Sequence, residues 1–212
     1  ISKIHLIQNK ALELSLFLTL PASAALLIAS EEIISALFGY GSFDQESVIN
    51  SGNALYYFAL GLPAFSLIKV FSSFFFANHD TKIPFYISLF SVLTNIVISI
   101  SYFNEIGFII IPIATTISSW LNAILLFAFL KNRDLFSFNN IFLVRFVKII
   151  IASLLMAIFF NFLITYFKYE LAFNQNIKSF YLILSVILSL LFYLLVSYWI
   201  KAFKMSDIKL KY

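Results

Sequence analysis

Three polar residues stand where polarity is hardest to accommodate. Lys69 lies within one long apolar run, and Asn95 and Thr115 lie within two later ones. A cation at the centre of a bilayer costs roughly 2.5–3.5 kcal/mol on insertion scales, so such a side chain must reach water, protein or a ligand. Lys69 sits toward one end of its run. Its stem can carry the ammonium to the headgroups, or it can present the charge to an anion. Asn95 offers a carbonyl oxygen, and Thr115 follows Pro112, whose ring removes a backbone donor and frees a carbonyl nearby. That is the chemistry of a coupling-cation site or of a polar substrate path. It is equally the chemistry of interhelical hydrogen bonds, worth about 0.6–2 kcal/mol each. No carboxylate accompanies the pair, so a tight cation site built from this segment alone is not expected.

Other chemistries find no residues. His5 and His79 are both expected in loops, no His-x-x-x-His pair and no glycine-rich phosphate loop occurs, and the ten Asp and Glu are scattered. There is no cysteine, which removes disulfides, thiolate nucleophiles and thiolate metal sites together. Neither a catalytic residue nor a metal site is expected. The chain reads as a non-enzyme without a cofactor, in which a coupling cation or the membrane potential would supply any driving force.

The elements that must hold these residues follow from composition. Of 212 residues 62% are hydrophobic and 11% charged, against about 45–50% and 25% in a soluble globular protein. A fold of this size could not bury so much apolar surface or cover it with charge. Six stretches are long enough to cross a bilayer as helices, residues 12–38, 53–77, 83–103, 107–130, 141–167 and 178–200. Runs such as Phe108-Ile109-Ile110-Ile111 do not alternate, which excludes a β-barrel. The expected fold class is an all-α, polytopic membrane protein.

Basic residues give the orientation. With the first segment inside, Lys3, Lys10, Lys82, Lys131, Arg133, Arg145, Lys148, Lys201, Lys204, Lys209 and Lys211 are cytoplasmic, 11 of the 14 Lys and Arg; Lys168 and Lys178 are external. Both ends are then cytoplasmic. The first external loop carries Asp44 and Glu46 and no basic residue, and Glu13, Glu31 and Glu32 fall at interfaces. The net charge of +4 thus reports topology, and nucleic acid is not an expected partner. The charged break at Lys131-Asn132-Arg133-Asp134 divides residues 1–131 from residues 132–212 with their basic cytoplasmic tail.

Within the spans, Ser88, Ser91, Asn95 and Ser99 share one helical face, and Thr115, Ser118 or Ser119, and Asn122 share another. Two such faces on consecutive antiparallel helices predict that these helices meet or border a hydrated cavity. Ser153, Ala157, Asn161 and Thr165 recur every fourth residue, as do Ser185, Ser189, Tyr193 and Ser197, the spacing of a closely packed hairpin. Pro21, Pro63 and Gly61 predict kinks in the first two spans.

Several stretches resemble the MurJ/MviN family of lipid II flippases, within the superfamily of multidrug and oligosaccharidyl-lipid exporters. Asn9-Lys10-Ala11-Leu12-Glu13 leading to Leu18-Thr19-Leu20-Pro21-Ala22 is similar to the start of the family's ninth helix, and Phe38-Gly39-Tyr40-Gly41-Ser42-Phe43 to its external turn. Leu60-Gly61-Leu62-Pro63-Ala64-Phe65, Lys69-Val70 and Ala77-Asn78-His79-Asp80-Thr81-Lys82-Ile83-Pro84 resemble its most specific block. Ala114-Thr115-Thr116 with Trp120-Leu121-Asn122-Ala123 continues the likeness. Ser73 stands where the family usually has Pro, and Asn78 and His79 replace its common Arg-Gln. The likeness is close over residues 9–131 and rests on helix count and spacing beyond.

The resemblance implies the last six of fourteen helices, with residues 1–131 as the last four helices of the second transporter lobe and 132–212 as an extra C-terminal pair. The chain, which begins at Ile1 and not at Met, is then a piece whose missing N-terminal eight helices carry the cavity arginines. It also implies alternating access in the bacterial cytoplasmic (inner) membrane, with a polyprenyl-linked peptidoglycan precursor and membrane lipids as partners. Lys69 becomes a substrate-binding or gating candidate, and Asn95 and Thr115 polar-cavity or cation-site candidates. Two rivals are an exporter of another polyprenyl-linked oligosaccharide and a non-transporting membrane scaffold of cell-wall synthesis.

Overall fold

Helices that are apolar on every side are stable where the surroundings are apolar too. Ile100, Ile158 and Leu195 accordingly remain 73%, 69% and 63% exposed. The computed structural model describes residues 3–202. Lys204, Lys209 and Lys211 of the expected basic tail lie outside the described residues. The chain runs α1 (Lys3–Ile28), α2 (Ser30–Phe38), α3 (Gln45–Ala77), α4 (Lys82–Ile106), a 3-10 turn (Gly107–Ile109), α5 (Ile110–Asn132), α6 (Asn140–Tyr166) and α7 (Lys178–Trp199). Among the described residues five helical stretches are long and apolar enough to cross a membrane, and one of them, Lys82–Asn132, runs through both α4 and α5. The protein is an all-helical, multi-pass membrane protein.

Helix boundaries depart from expectation at three places. Helix α1 begins at Lys3, nine residues before the expected start at residue 12, so His5 is helical and not in a loop: the polar Gln8 and Asn9, which ended the apolar run in sequence, are held by hydrogen bonds to the segment after α5. The stretch expected as one helix over 12–38 is interrupted at Ala29 (φ −125°, ψ 34°). The kink expected at Pro21 does not end α1, which continues for seven residues past the ring. Ala29 is fully buried in a cluster with Ala36, Phe160, Ile164, Leu171 and Leu182, so packing fixes the interruption there. Helix α3 starts at Gln45, eight residues before Asn53, because the Asp44 carboxylate accepts the Ser47 N–H at 2.8 Å. This is an N-cap, invisible to a search for apolar residues. The hydrogen bonds from Ser47 hold the Asp44 carboxyl below the usual carboxylate range.

Two compact units can be distinguished, one of Ile1–Thr19 with Tyr57–Leu143 and one of Leu20–Tyr56 with Val144–Tyr212. In the first, Phe71, Phe74, Phe127, Phe136, Phe138 and Phe142 pack with ring centroids 5.0–6.4 Å apart. The charged segment after α5 is tied down beside them. Gln8 donates to the Leu135 carbonyl at 3.1 Å, and Asn9 donates to the Ser137 carbonyl at 2.8 Å while accepting the Asn139 N–H at 3.2 Å. Asp80 accepts the N–H groups of Lys82 and Ile83 at 3.0 and 3.2 Å and pairs with Arg133 at 2.8 Å. One carboxylate thereby starts α4 and ties it to the end of α5.

In the second unit α6 meets α7 through Phe159 and Phe192, whose rings stack at 4.6 Å, and through Phe167 and Tyr181 at 5.1 Å. All four residues of the α7 stripe, Ser185, Ser189, Tyr193 and Ser197, are buried. Of the α6 stripe Ser153 is buried, but Asn161 and Thr165 are exposed, against expectation. The packed face at that end of α6 runs instead through the apolar Phe160, Leu163 and Ile164, all buried, which leaves Asn161 and Thr165 on the other side.

Candidate functional site

The α4–α5 hairpin builds the polar site. Gly107 closes it with φ +73° and ψ −153°, a conformation essentially reserved for glycine. The chain thus reverses within the three residues Gly107–Ile109 and lays α5 antiparallel along α4. The two polar faces then meet, as their spacing predicts. The Asn95 amide nitrogen donates to Thr115 Oγ1 at 3.0 Å and lies 3.5 Å from Ser118 Oγ. Thr115 Oγ1 in turn donates to the Ile111 carbonyl at 2.8 Å. The Thr115 carbonyl accepts the hydroxyls of both Ser118 and Ser119, at 3.0 and 2.6 Å. One helical turn on, the Asn122 amide nitrogen lies 3.5 Å from Ser88 Oγ.

These side chains line a cavity of about 260 Å³, walled by Ser88, Ser91, Asn95, Thr115, Ser118 and Asn122 together with Val92 and Ser119. Asn122 Oδ1 is buried without a partner, so this wall keeps an unused acceptor. Ser99, on the same predicted face, does not reach the cavity, and its hydroxyl is buried without a partner. The wall holds neutral hydroxyl and amide oxygens and no carboxylate. Such a site suits a weakly held monovalent cation or a hydroxyl-rich group better than a divalent ion. Among the described residues no three His, Asp or Glu form a metal-ligand set.

The opposite edge of α5 is fixed against α3. Thr116 donates to the Tyr57 carbonyl at 2.6 Å and the Trp120 indole to the Leu60 carbonyl at 3.0 Å. A Cβ on Gly61 would lie 2.9 Å from Thr116 Oγ1, so the helices meet this closely because residue 61 is glycine. Lys69 lies on α3 outside the cavity wall. Its side chain is exposed and has no hydrogen-bond or ion-pair partner among the described residues. Eight residues separate it from Ala77 at the helix end, a rise of about 12 Å. Asn95 and Thr115 therefore form one site, and Lys69 stands apart from it.

Sequence reasoning missed Lys178, which it counted only as an external charge. Lys178 is 1% exposed at the first position of α7. Its ammonium donates to the Gly39 and Phe173 carbonyls, both at 2.7 Å, and sits 4.5 and 4.6 Å from the ring centroids of Tyr40 and Phe173. The neighbouring Ser179 hydroxyl donates to the Ala36 carbonyl at 2.6 Å. Together they tie the end of α2 to the start of α7. The one signal available in sequence is the aromatic and glycine content of Phe38-Gly39-Tyr40, which does not identify its partner.

Comparison with known proteins places these features in a family. The family model described as Lipid II flippase MurJ matches residues 2–182, well past residue 131, where the recognisable motifs end. The probable lipid II flippase MurJ of Rhizobium meliloti (strain 1021) is 41% identical over 151 residues, covering 71% of this chain and 28% of that protein. That of Rickettsia prowazekii (strain Madrid E) is 37% identical over 123 residues, covering 58% and 24%. A solved structure, Lipid II flippase MurJ in its inward closed conformation, superposes with a TM-score of 0.74 at 26% identity, covering 92% of this chain and 38% of that one. The chain spans about a quarter of the length of the curated relatives it matches.

Proposed function

Since this chain belongs to the MurJ family of lipid II flippases, we propose that it is the C-terminal part of a transporter that moves lipid II across the bacterial cytoplasmic membrane by alternating access. The observation that carries the reading is the shared fold over 92% of the chain with a lipid II flippase in an inward-closed state. In this reading α1 with α2, and then α3, α4, α5, α6 and α7, make six crossings with both ends cytoplasmic. They are the last six of fourteen. Residues 1–131 complete the second lobe, and 132–212 form an additional pair beside it.

The cavity of Asn95 and Thr115 supplies a place for a coupling cation or for part of the polar path. Its neutral oxygens favour a weakly held ion, and either such an ion or the membrane potential would supply the driving force. Lys69, unpaired and about 12 Å from its helix end, is available either to an anionic group of the substrate or to the closing of the inward state.

The test uses the complete protein reconstituted into vesicles with a labelled lipid-linked precursor. Translocation that falls at least tenfold in Lys69→Met, with unchanged membrane insertion, supports the assignment; an inserted protein that moves no precursor overturns it. This chain contributes no cysteine, so in the complete protein with any upstream cysteine replaced, Ser42→Cys and Ser137→Cys provide single labels. An impermeant reagent should modify the first from outside and the second only after permeabilisation. The reverse pattern overturns the topology.

A further inference from the structure

The second unit holds a cavity that the transport reading leaves unused. It measures about 340 Å³, within the range of about 300–1,000 Å³ typical of ligand sites. Glu31, Glu32 and Ser35 on α2, Lys168 after α6, and Leu171 and Phe173 before α7 contribute to its wall. Both carboxylates precede Ser35 by three or four positions and therefore share its side of α2. Neither forms an ion pair among the described residues. Ser35 is 5% exposed, and its hydroxyl is buried without a hydrogen-bond partner among the described residues. A buried hydroxyl left unpaired beside two carboxylates is costly unless something fills the space between them.

The wall has two carboxylates, one ammonium from Lys168, and apolar surface from Leu171 and Phe173. A primary ammonium has three N–H donors, and Glu31, Glu32 and Ser35 offer three acceptors for them. Lys168 offers a point charge for an anion beside that ammonium. The cavity also lies where apolar helices end and their connections begin, flanked by Tyr166 and Tyr169 at 70% and 76% exposure. Exposed tyrosines at helix ends mark the level of the lipid headgroups. We propose that this cavity binds the phosphoethanolamine headgroup of a membrane phospholipid, with the ammonium between Glu31, Glu32 and Ser35 and the phosphate toward Lys168. Glu31 and Glu32 are adjacent on α2, and an incoming ammonium relieves the repulsion between their charges.

The test is native mass spectrometry of the complete protein with three phospholipids of identical acyl chains, bearing ethanolamine, choline or glycerol headgroups. The ethanolamine lipid should bind roughly tenfold or more tightly than the other two. Choline lacks N–H donors and glycerol lacks the cation. Glu31→Gln with Glu32→Gln should abolish the preference, and the sterically mild Ser35→Ala should weaken it severalfold. Equal binding of the ethanolamine and choline lipids by the unmodified protein overturns the proposal. So does a double variant that keeps the preference. Soluble phosphoethanolamine binding as tightly as the lipid would assign the cavity to a free amine and overturn the lipid assignment.

Discussion

Replacing Lys178 by Met tests whether a buried cation held only by carbonyls and rings stabilises this fold. In the intact protein the ammonium gains two charge-assisted hydrogen bonds and two ring contacts. Against these stand its removal from water, several kcal/mol per ion, and its place at a helix N-terminus, unfavourable by about 0.3–1 kcal/mol. These terms oppose each other and largely cancel. The uncancelled part is what the substitution leaves behind. Met keeps the stem volume but donates nothing, so the Gly39 and Phe173 carbonyls lose their partner, at about 1–3 kcal/mol for each buried group. Gly39 is buried and Phe173 only half-buried, which places the expected loss at about 2–4 kcal/mol. Lys178→Arg keeps the charge, but the ammonium already lies 3.1 Å from where a Cβ on Gly39 would stand. The larger guanidinium is crowded there, and an intermediate loss is expected. Amide hydrogen exchange on the complete protein reads the effect locally at Gly39, whose N–H bonds the Ser35 carbonyl at 3.0 Å. Protection there should fall by about 30-fold to 1,000-fold, the equivalent of about 2–4 kcal/mol. Protection within threefold of the unmodified protein would refute the reasoning.

Asn95→Ala and Thr115→Ala, alone and together, should show a coupling of about 0.6–1.7 kcal/mol in unfolding from mild detergent; additive losses would deny the 3.0 Å bond any energetic role. If the cavity holds the coupling ion, the double variant also changes the cation dependence of transport, and unchanged dependence returns both residues to packing. Gly107→Ala should destabilise by about 1–3 kcal/mol, because alanine is forced into a glycine conformation, and a melting temperature equal to that of the unmodified protein would contradict this.

Periodicity made the α4–α5 site legible. Ser88, Asn95, Thr115 and Asn122 repeat at helical steps on neighbouring helices, and a short antiparallel link leaves those faces little choice but to meet. The apolar runs likewise revealed the long helices, because in lipid hydrophobicity and span are the same signal. Their ends were less legible. Asp44 extends α3 by a side-chain cap, and Ala29 interrupts the first apolar run through a cluster whose other members come mostly from α6, α7 and the segment between them, with Ala36 from α2. Lys178 was illegible for the same reason. A lysine after a polar loop reads as solvated, and only the return of Gly39 and Phe173 carbonyls around it makes burial tolerable. The stripe of α6 misled because small and polar spacing was read as the packed face, whereas the larger Phe160, Leu163 and Ile164 take that face toward the helix end.

The Gly107 link fastens one end of the hairpin, and the Asp80–Arg133 pair fastens the other. Measured along the helices, Asn95 and Thr115 lie on average about 15 Å from the glycine link, and Ser88 and Asn122 about 25 Å from it, so the polar seam occupies the stretch between the two fastenings. Like a bow strung at both tips, α4 and α5 can part there only by bending, and swinging apart about Gly107 requires the Asp80–Arg133 pair to let go first. A surface ion pair at one tip thus guards a seam of neutral hydrogen bonds that it does not touch.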